Sequence, residues 1–237
     1  MDPILIIVIC VVVGGVLASL GVHLLPVGGA PAAMGTATGI ATGTIMLMLG
    51  AAMCGLFTAS SVAAMVGPEE TLSIRILLVS LSGAVGAWLM MGVTMLMANI
   101  IYVFGTGIVP VSGRVDVDPI TKEPQLAYKT PQCDGHGVPN VSYISGMVGA
   151  LLGGFGGAFM YFGLLNYANF EPTMAGVTAM GIFVANAIIA AYNIGGTIEG
   201  FHDPKFKRLP KALITCFVIS LFCGVFVWLA ANLGGLL

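Results

Sequence analysis

Three polar residues, in the second half of an apolar segment at 173–198 and just after it, have the chemistry of a cation site. Asn186 and Asn193 stand two helical turns apart and therefore on similar sides of a helix, and Glu199 follows near the predicted helix end. Carboxylate, amide and carbonyl oxygens are the ligands that hard cations prefer. Threonines of the segment 36–44 offer further oxygens: Thr36, Thr38, Thr42 and Thr44. The alternative is that Glu199 lies among lipid headgroups while the Asn and Thr side chains hydrogen-bond between helices.

Cys133 and His136 form a second group with chemical potential, in the longest polar connection of the chain. A thiol beside an imidazole can bind a metal or act as a nucleophile. One cysteine and one histidine are too few for a closed zinc site, and the intervening Asp134-Gly135 is typical of a turn. We therefore assign no metal site here, and we assign no catalytic or cofactor-binding residue anywhere in the chain.

Composition excludes a soluble globular protein. Of the 237 residues, 58% are hydrophobic and only 8% are charged, whereas about a quarter of the residues of soluble domains are charged. The formal net charge of -2 also argues against nucleic-acid binding, because phosphate recognition needs a basic surface.

The elements that position these groups are predicted to be membrane helices. A crossing needs about 20 apolar residues, and six segments reach that length. They are Ile4–Leu25, Ile40–Val66, Ile76–Phe104, Val141–Tyr167, Thr173–Ile198 and Leu213–Leu236. The sequence therefore predicts an all-α polytopic membrane protein. It divides into helices one to three (1–104), a polar loop (105–139) and helices four to six (140–237). The weakly polar segment 31–44 is expected to be a short helix, a re-entrant piece or a steeply tilted continuation.

The distribution of basic residues predicts the orientation. With six crossings, the loops Gly105–Pro139 and 200–210 share one face of the membrane, and Arg75 lies on the other. The first face carries Arg114, Lys122, Lys129, Lys205, Lys207, Arg208 and Lys211. The positive-inside rule places both loops in the cytoplasm and both termini outside.

The Gly105–Pro139 loop contains several prolines, which exclude a long helix. We expect a compact loop with short strands around 113–117 and 125–128, and a docking surface for a cytoplasmic partner. The loop is too small for a catalytic domain.

Two patterns concern helix packing. Pro31-Ala-Ala-Met-Gly35 is echoed by Pro172-Thr-Met-Ala-Gly176, so the halves 1–104 and 140–237 are candidates for a 3+3 inverted repeat, although short matches also arise from composition alone. Glycines recur every four residues in two series, Gly35, Gly39, Gly43 and Gly149, Gly153, Gly157. Each series forms a smooth face that packs either on sister helices of an assembly or within this chain.

Three stretches carry a family resemblance: His23-Leu-Leu-Pro-Val-Gly-Gly-Ala-Pro-Ala-Ala-Met34, Thr36-Ala-Thr-Gly39 and Asp134-Gly-His-Gly-Val-Pro139. With the length and the six-helix plan, they make the chain resemble the D subunits of tetrahydromethanopterin S-methyltransferase, a membrane complex of methanogenic archaea. The resemblance runs from end to end.

The resemblance implies a multi-subunit enzyme that moves a methyl group from methyl-tetrahydromethanopterin through a corrinoid to coenzyme M and exports sodium. It places the corrinoid and the methyl-transfer sites on other subunits and sets this chain beside C- and E-like membrane subunits. Because no carboxylate lies near a helix centre, we expect the main sodium ligand on a neighbour, with any contribution of this chain coming from Glu199, Asn193 and Asn186. An independent secondary transporter and a purely structural scaffold are the alternatives.

Overall fold

The computed structural model describes residues 2–26, 40–129, 136–194 and 200–236, without the side chains of 40–47 and 106. These ranges contain six long helices, each long and apolar enough to cross a membrane. They are α1 (Pro3–His23), α2 (Ile40–Met65), α3 (Leu72–Thr106), α4 (Asn140–Tyr167), α5 (Pro172–Ile194) and α6 (Leu209–Leu233). The predicted all-α polytopic class is confirmed. Residues 31–39 of the weakly polar segment lie outside the described ranges.

Two helices begin about one turn earlier than predicted, whereas the other four begin within one residue of the predicted position. Helix α3 begins at Leu72 because Thr71 caps it: the Thr71 hydroxyl accepts a hydrogen bond from the backbone N–H of Ile74 at 3.4 Å. Arg75 consequently belongs to the first turn of α3. Helix α6 begins at Leu209 because Pro210 fits the first turn, where a helix needs no N–H donor. The hydropathy pattern located these helices correctly but missed their polar first turns.

Helix α4 is the central element. It packs against α1 on one side and α3 on another, and it also contacts α2 and α5. In its membrane-spanning window 67% of the residues are buried, against 28% for α2 and for α6. The core of the protein therefore surrounds α4, and the outer helices present apolar side chains to the lipid.

Glycines let the neighbouring backbones approach α4 closely. The Cβ position of Gly156 lies 2.6 Å from the Gly14 carbonyl oxygen on α1, and that of Gly154 lies 2.6 Å from the Gly83 carbonyl oxygen on α3. Any side chain at either position would collide with backbone, which cannot rotate away. The run Gly153–Gly157 therefore makes α4 a helix on which several others converge.

The predicted glycine series Gly149, Gly153 and Gly157 lies on this helix. Gly149 packs on Gly21 of α1, Gly153 on Met48 of α2, and Gly157 faces Phe183 of α5. All three contacts are within the chain. Of the other series, Gly35 and Gly39 lie outside the described residues, and no side-chain environment is described at Gly43.

The helix contacts have a pattern that bears on the predicted repeat. Helix α1 packs on α4, α5 and α6, and α4 packs on α1, α2 and α3; α2 contacts α3 as α5 contacts α6. Exchanging the first three helices with the last three preserves these pairs. The contact between α4 and α5 has no equally extensive counterpart between α1 and α2. The inverted repeat stays a prediction that this pattern favours.

The loop between α3 and α4 is fixed to the helix ends. The Asn99 side chain donates to the Val138 carbonyl at 2.8 Å and accepts from the Val138 N–H at 2.7 Å. The two β pairings described in the loop, Val111 with His136 and Val117 with Pro124, are isolated bridges. The expectation of short strands is wrong for the described part of the loop, and Leu126–Tyr128 is a 3-10 turn. The prolines and the side-chain bonds of the loop leave no continuous ladder.

Asp118 organises the tip of this loop. Its carboxylate accepts hydrogen bonds from the backbone N–H groups of Ile120 at 2.8 Å and Thr121 at 3.0 Å. Burial raises the pKa of the Asp118 carboxyl, but these bonds favour the ionised form more strongly, so the pKa lies below its ordinary value. The turn is therefore stabilised by an ionised carboxylate at neutral pH.

Candidate functional site

Polar side chains line the contact of α1, α5 and α6, within otherwise apolar helices. We name Ser19, His23, Asn186, Asn193 and Ser220 the polar seam. All but Asn193 are completely buried. Buried polar groups in a membrane protein are costly unless they are paired, so their partners decide what the seam can do.

Asn186 is the centre of the seam. Its amide nitrogen donates to the Ile182 carbonyl of the same helix at 3.0 Å, and its amide oxygen accepts from the Ser220 hydroxyl of α6 at 3.1 Å. The Cys216 thiol lies 3.7 Å from the Asn186 carbonyl oxygen and donates to it. Asn186 therefore ties α5 to α6 near the middle of both helices.

Gly15 of α1 makes room for this contact. A Cβ at residue 15 would collide with the Ser220 hydroxyl and lie 2.7 Å from the Asn186 amide nitrogen. The absence of a side chain brings the α1 backbone against the Asn186–Ser220 pair. Three helices therefore meet at this pair.

His23 and Asn193 form the other end of the seam. The His23 Nδ1 lies 2.7 Å from the Ser19 carbonyl oxygen, which can only accept, so Nδ1 carries a hydrogen. In the neutral ring Nε2 is then an acceptor, and it receives a hydrogen bond from the Asn193 amide nitrogen at 3.0 Å. The contact fixes the imidazole tautomer and ties the end of α1 to the end of α5.

The seam reaches from the end of α1 to the middle of the bundle and carries no ionised side chain among the residues described. Its members offer hydroxyl and amide oxygens, which can replace water around a monovalent cation. The Ser19 hydroxyl oxygen is buried without a nitrogen or oxygen partner in the described part of the chain, and the Cys216 thiol lies beside it. The arrangement suits transient contact with a small cation or a water molecule better than tight binding, because the neutral groups do not compensate a full charge.

The structure describes some of the predicted site residues and not others. Asn186 and Asn193 lie on one side of α5 and both take part in the seam. Glu199, Thr36 and Thr38 lie outside the described residues, as do the side chains of Thr42 and Thr44. The sodium role of Glu199, Asn193 and Asn186 stays a prediction.

Sequence reasoning missed the partners on the other helices. It did not assign His23, Ser19 or Ser220 to the candidate site. A signal was present: Gly15, Ser19 and His23 recur every four residues and therefore share one face of α1. Which face of α5 or α6 they would meet depends on tertiary packing.

Of the second group considered from the sequence, Cys133 and His136, the described residue His136 contacts another side chain of the protein. The His136 ring stacks on Tyr102 with centroids 6.2 Å apart, and its Nδ1 lies 3.1 Å from the Tyr102 hydroxyl oxygen. Cys133 lies outside the described residues. Within the described ranges no group of three His, Cys, Asp or Glu side chains is placed to hold a metal ion.

An apolar cavity of about 430 Å³ lies apart from the seam, between α2, α4 and α5. Phe57, Val177 and Met180 are among its lining residues. Its polar lining residues are Ser60, Tyr161 and Thr173, and the Tyr161 hydroxyl donates to the Ser60 hydroxyl oxygen at 3.2 Å. Such a lining suits hydrocarbon rather than an ion.

Six apolar helices, with the glycine-rich α4 at their centre and a neutral polar seam, define the class: a polytopic α-helical membrane protein. The comparisons with known proteins define the family. The family model for the D subunit of tetrahydromethanopterin S-methyltransferase matches residues 4–220. The chain therefore belongs to the family of tetrahydromethanopterin S-methyltransferase D subunits.

Several curated relatives that carry this name align over nearly their whole length. The protein of Methanopyrus kandleri is 46% identical over 233 residues, covering 98% of this chain and 100% of the relative. That of Methanothermobacter marburgensis is 51% identical over 231 residues, covering 94% of this chain and 95% of the relative. That of Methanocaldococcus jannaschii is 50% identical over 213 residues, covering 90% of this chain and 91% of the relative. The family resemblance stated from the sequence is confirmed.

Proposed function

We propose that this chain is a non-catalytic membrane subunit of a complex that transfers a methyl group from methyl-tetrahydromethanopterin to coenzyme M and exports sodium ions. In this proposal the chain supplies part of the membrane module through which sodium crosses. C- and E-like membrane subunits are its neighbours, and cytoplasmic subunits carry the corrinoid and the methyl-transfer sites. The module lies in the cell membrane, with the loops 105–139 and 200–210 in the cytoplasm and both termini outside.

The polar seam is the observation that carries the proposal. A neutral row of hydroxyl and amide groups reaches from the end of α1 at His23 to the Asn186–Ser220 pair at mid-helix. Such groups lower the cost of moving a partly dehydrated cation, but without a carboxylate they do not hold it firmly. The main sodium-binding carboxylate is accordingly expected on a neighbouring subunit, with Asn186, Asn193 and Glu199 contributing from this chain.

A structural scaffold is the second candidate, and the packing around α4 favours it. Helices α1 and α3 contact α4 through backbone at Gly156 and Gly154, an arrangement suited to a rigid wall. In a scaffold the seam is only a set of interhelical hydrogen bonds. Its substitution then changes stability and assembly but not the sodium dependence of turnover.

The test uses the purified complex in proteoliposomes. The variant Asn186→Leu, Asn193→Leu, Glu199→Gln is compared with the wild type and with Thr178→Val, which removes a polar side-chain group of α5 outside the seam. Methyl transfer is measured as a function of sodium concentration, together with ²²Na⁺ moved per methyl group.

We expect the triple variant to need at least about tenfold more sodium for half-maximal turnover, equivalent to about 1.4 kcal/mol of lost ion stabilisation. The Thr178→Val complex should match the wild type. Unchanged sodium dependence in a fully assembled triple variant would contradict the proposed contact and favour the scaffold.

A further inference from the structure

The described part of the connection between α5 and α6, residues 200–208, forms a short basic segment together with the first residues of α6. We name residues 200–211 the basic elbow. Asp203 begins its 3-10 turn, Pro204–Arg208, by accepting a hydrogen bond from the Lys205 N–H at 2.8 Å. Helix α6 follows at once from Leu209. The elbow therefore lies directly against the end of a membrane helix.

The charges of the elbow are almost all positive. Four cations occur within seven residues: Lys205, Lys207, Arg208 and Lys211. The one acid between residues 200 and 211 is Asp203, which is 3% exposed and lies 3.5 Å from the Arg114 guanidinium of the other loop. Because the Asp203 carboxylate is paired with Arg114, it does not offset the positive charge of the lysines and Arg208 in the elbow.

Three of the four cations are exposed and make no ion pair within the described part of the chain: Lys207, Arg208 and Lys211. Phe201, 48% exposed, lies on the same elbow, and Phe206 is half-buried between two of the lysines. Phenylalanine rings together with basic side chains occur in segments that lie at the membrane interface. An exposed apolar side chain follows within one turn of Lys211, since Ile214 of α6 is 67% exposed.

The other connection on the same face has a different character. The Lys122 ammonium donates to the Pro119 carbonyl at 2.7 Å, and the Lys129 ammonium donates to the Gly113 carbonyl at 3.4 Å. The exposed acids Asp116 and Glu123 lie in the same loop. Positive charge is therefore concentrated at the elbow and offset in the loop.

We propose that the basic elbow is a binding site for anionic lipid headgroups, with Lys207, Arg208 and Lys211 contacting the lipid phosphate. The inference adds a lipid site to the proposed function and rests on its orientation, because the leaflet is then the cytoplasmic one. The argument rests on charge complementarity. Each cation clustered beside a membrane helix raises the affinity for anionic headgroups by about fivefold. An acidic partner protein is the competing occupant, but the exposed apolar side chain of Ile214, one turn from Lys211, favours lipid.

The test measures lipid selectivity of the full chain in vesicles. The chain is reconstituted in phosphatidylcholine with spin-labelled phosphatidylglycerol or spin-labelled phosphatidylcholine, and electron spin resonance gives the fraction of each label that the protein immobilises. K207Q/R208Q is compared with K122Q/K129Q, which removes the same charge from the loop. Circular dichroism checks that helix content is equal.

We expect the wild type to prefer phosphatidylglycerol, and K207Q/R208Q to lower the relative association constant by about 25-fold, since each of the two cations contributes about fivefold. K122Q/K129Q should change it by less than about twofold, and added salt should weaken the wild-type preference. Equal selectivity in the wild type and K207Q/R208Q overturns the proposal. The proposal is also overturned if the wild type shows no lipid preference and the K207Q/R208Q variant instead fails to retain the partner subunits when it is pulled down from the complex. No turnover is involved, so this result is independent of the sodium test.

Discussion

Helix α4 and the polar seam are two solutions to helix packing in one bundle. Around α4, glycines remove side chains and let backbone touch backbone, as at Gly154 with Gly83 and at Gly156 with Gly14. In the seam, Asn186 and Ser220 fill the contact with hydrogen-bonding side chains. The first contact fixes distance and has little freedom to change. The second consists of side chains that can exchange partners, which is what a transient ion contact requires.

The two regions also differ in what a substitution costs. Backbone cannot move aside for an added side chain without displacing a whole helix, whereas an interhelical hydrogen bond in a membrane contributes about 0.6 kcal/mol on average. The comparison predicts that α4 variants affect folding first and that seam variants affect function first.

The largest effect is expected from Gly154→Leu. The new side chain would collide with the Gly83 carbonyl and with Ala87, forcing α3 away from α4 at a cost of more than about 3 kcal/mol. We expect little folded protein after detergent extraction, measured by size-exclusion chromatography and thermal unfolding. Gly181→Leu is the matched control, because a Cβ at Gly181 meets nothing within 4 Å. Equal stability of the two variants would break the assignment of α4 as the packing centre.

An intermediate effect is expected in the middle of the seam. Asn186→Ala and Ser220→Ala each remove one partner of the 3.1 Å hydrogen bond, and each should destabilise the protein by about 1 kcal/mol. The double variant should show a coupling energy of about 0.6 to 1.7 kcal/mol in a double-mutant cycle. Urea or thermal unfolding in detergent gives these values. Strict additivity would mean that the two side chains do not interact.

The smallest effect is expected at the end of the seam. Asn193→Ala removes the donor to His23 Nε2 but leaves the bond from His23 Nδ1 to the Ser19 carbonyl. Because one anchor of the ring remains, we expect a loss of about 0.5 kcal/mol. The ¹⁵N chemical shifts of the His23 ring should keep the Nδ1–H tautomer and show a weaker bond at Nε2. A change of tautomer would show that Asn193, not Ser19, orients the ring.

Much of the fold could be predicted from the sequence, because hydropathy records which segments can lie in hydrocarbon. All six helices appear at the expected places, and the polar first turns at Leu72 and Leu209 were missed because caps and Pro210 act locally. The strands expected in the loop were wrong, since side-chain bonds such as those of Asn99 determine its shape.

The site could be predicted only in part. The spacing of Asn186 and Asn193 on one helix was visible, but their partners Ser220 and His23 come from helices whose rotation the sequence does not state. The same holds for Gly149 and Gly153, whose packing within the chain depends on which helix lies opposite.

The most direct measurement of the central claim is an electron density map of the intact complex in lipid, at a resolution that identifies bound sodium. Oxygen atoms within about 2.3–2.6 Å of ion-like density, a range taken from calcium sites as a guide, define the ligands. We predict density between a carboxylate of a neighbouring membrane subunit and the side chains of Asn186, Asn193 or Glu199 of this chain. Density held wholly by the neighbour, with the seam packed dry, would contradict the account and leave this chain as a supporting wall.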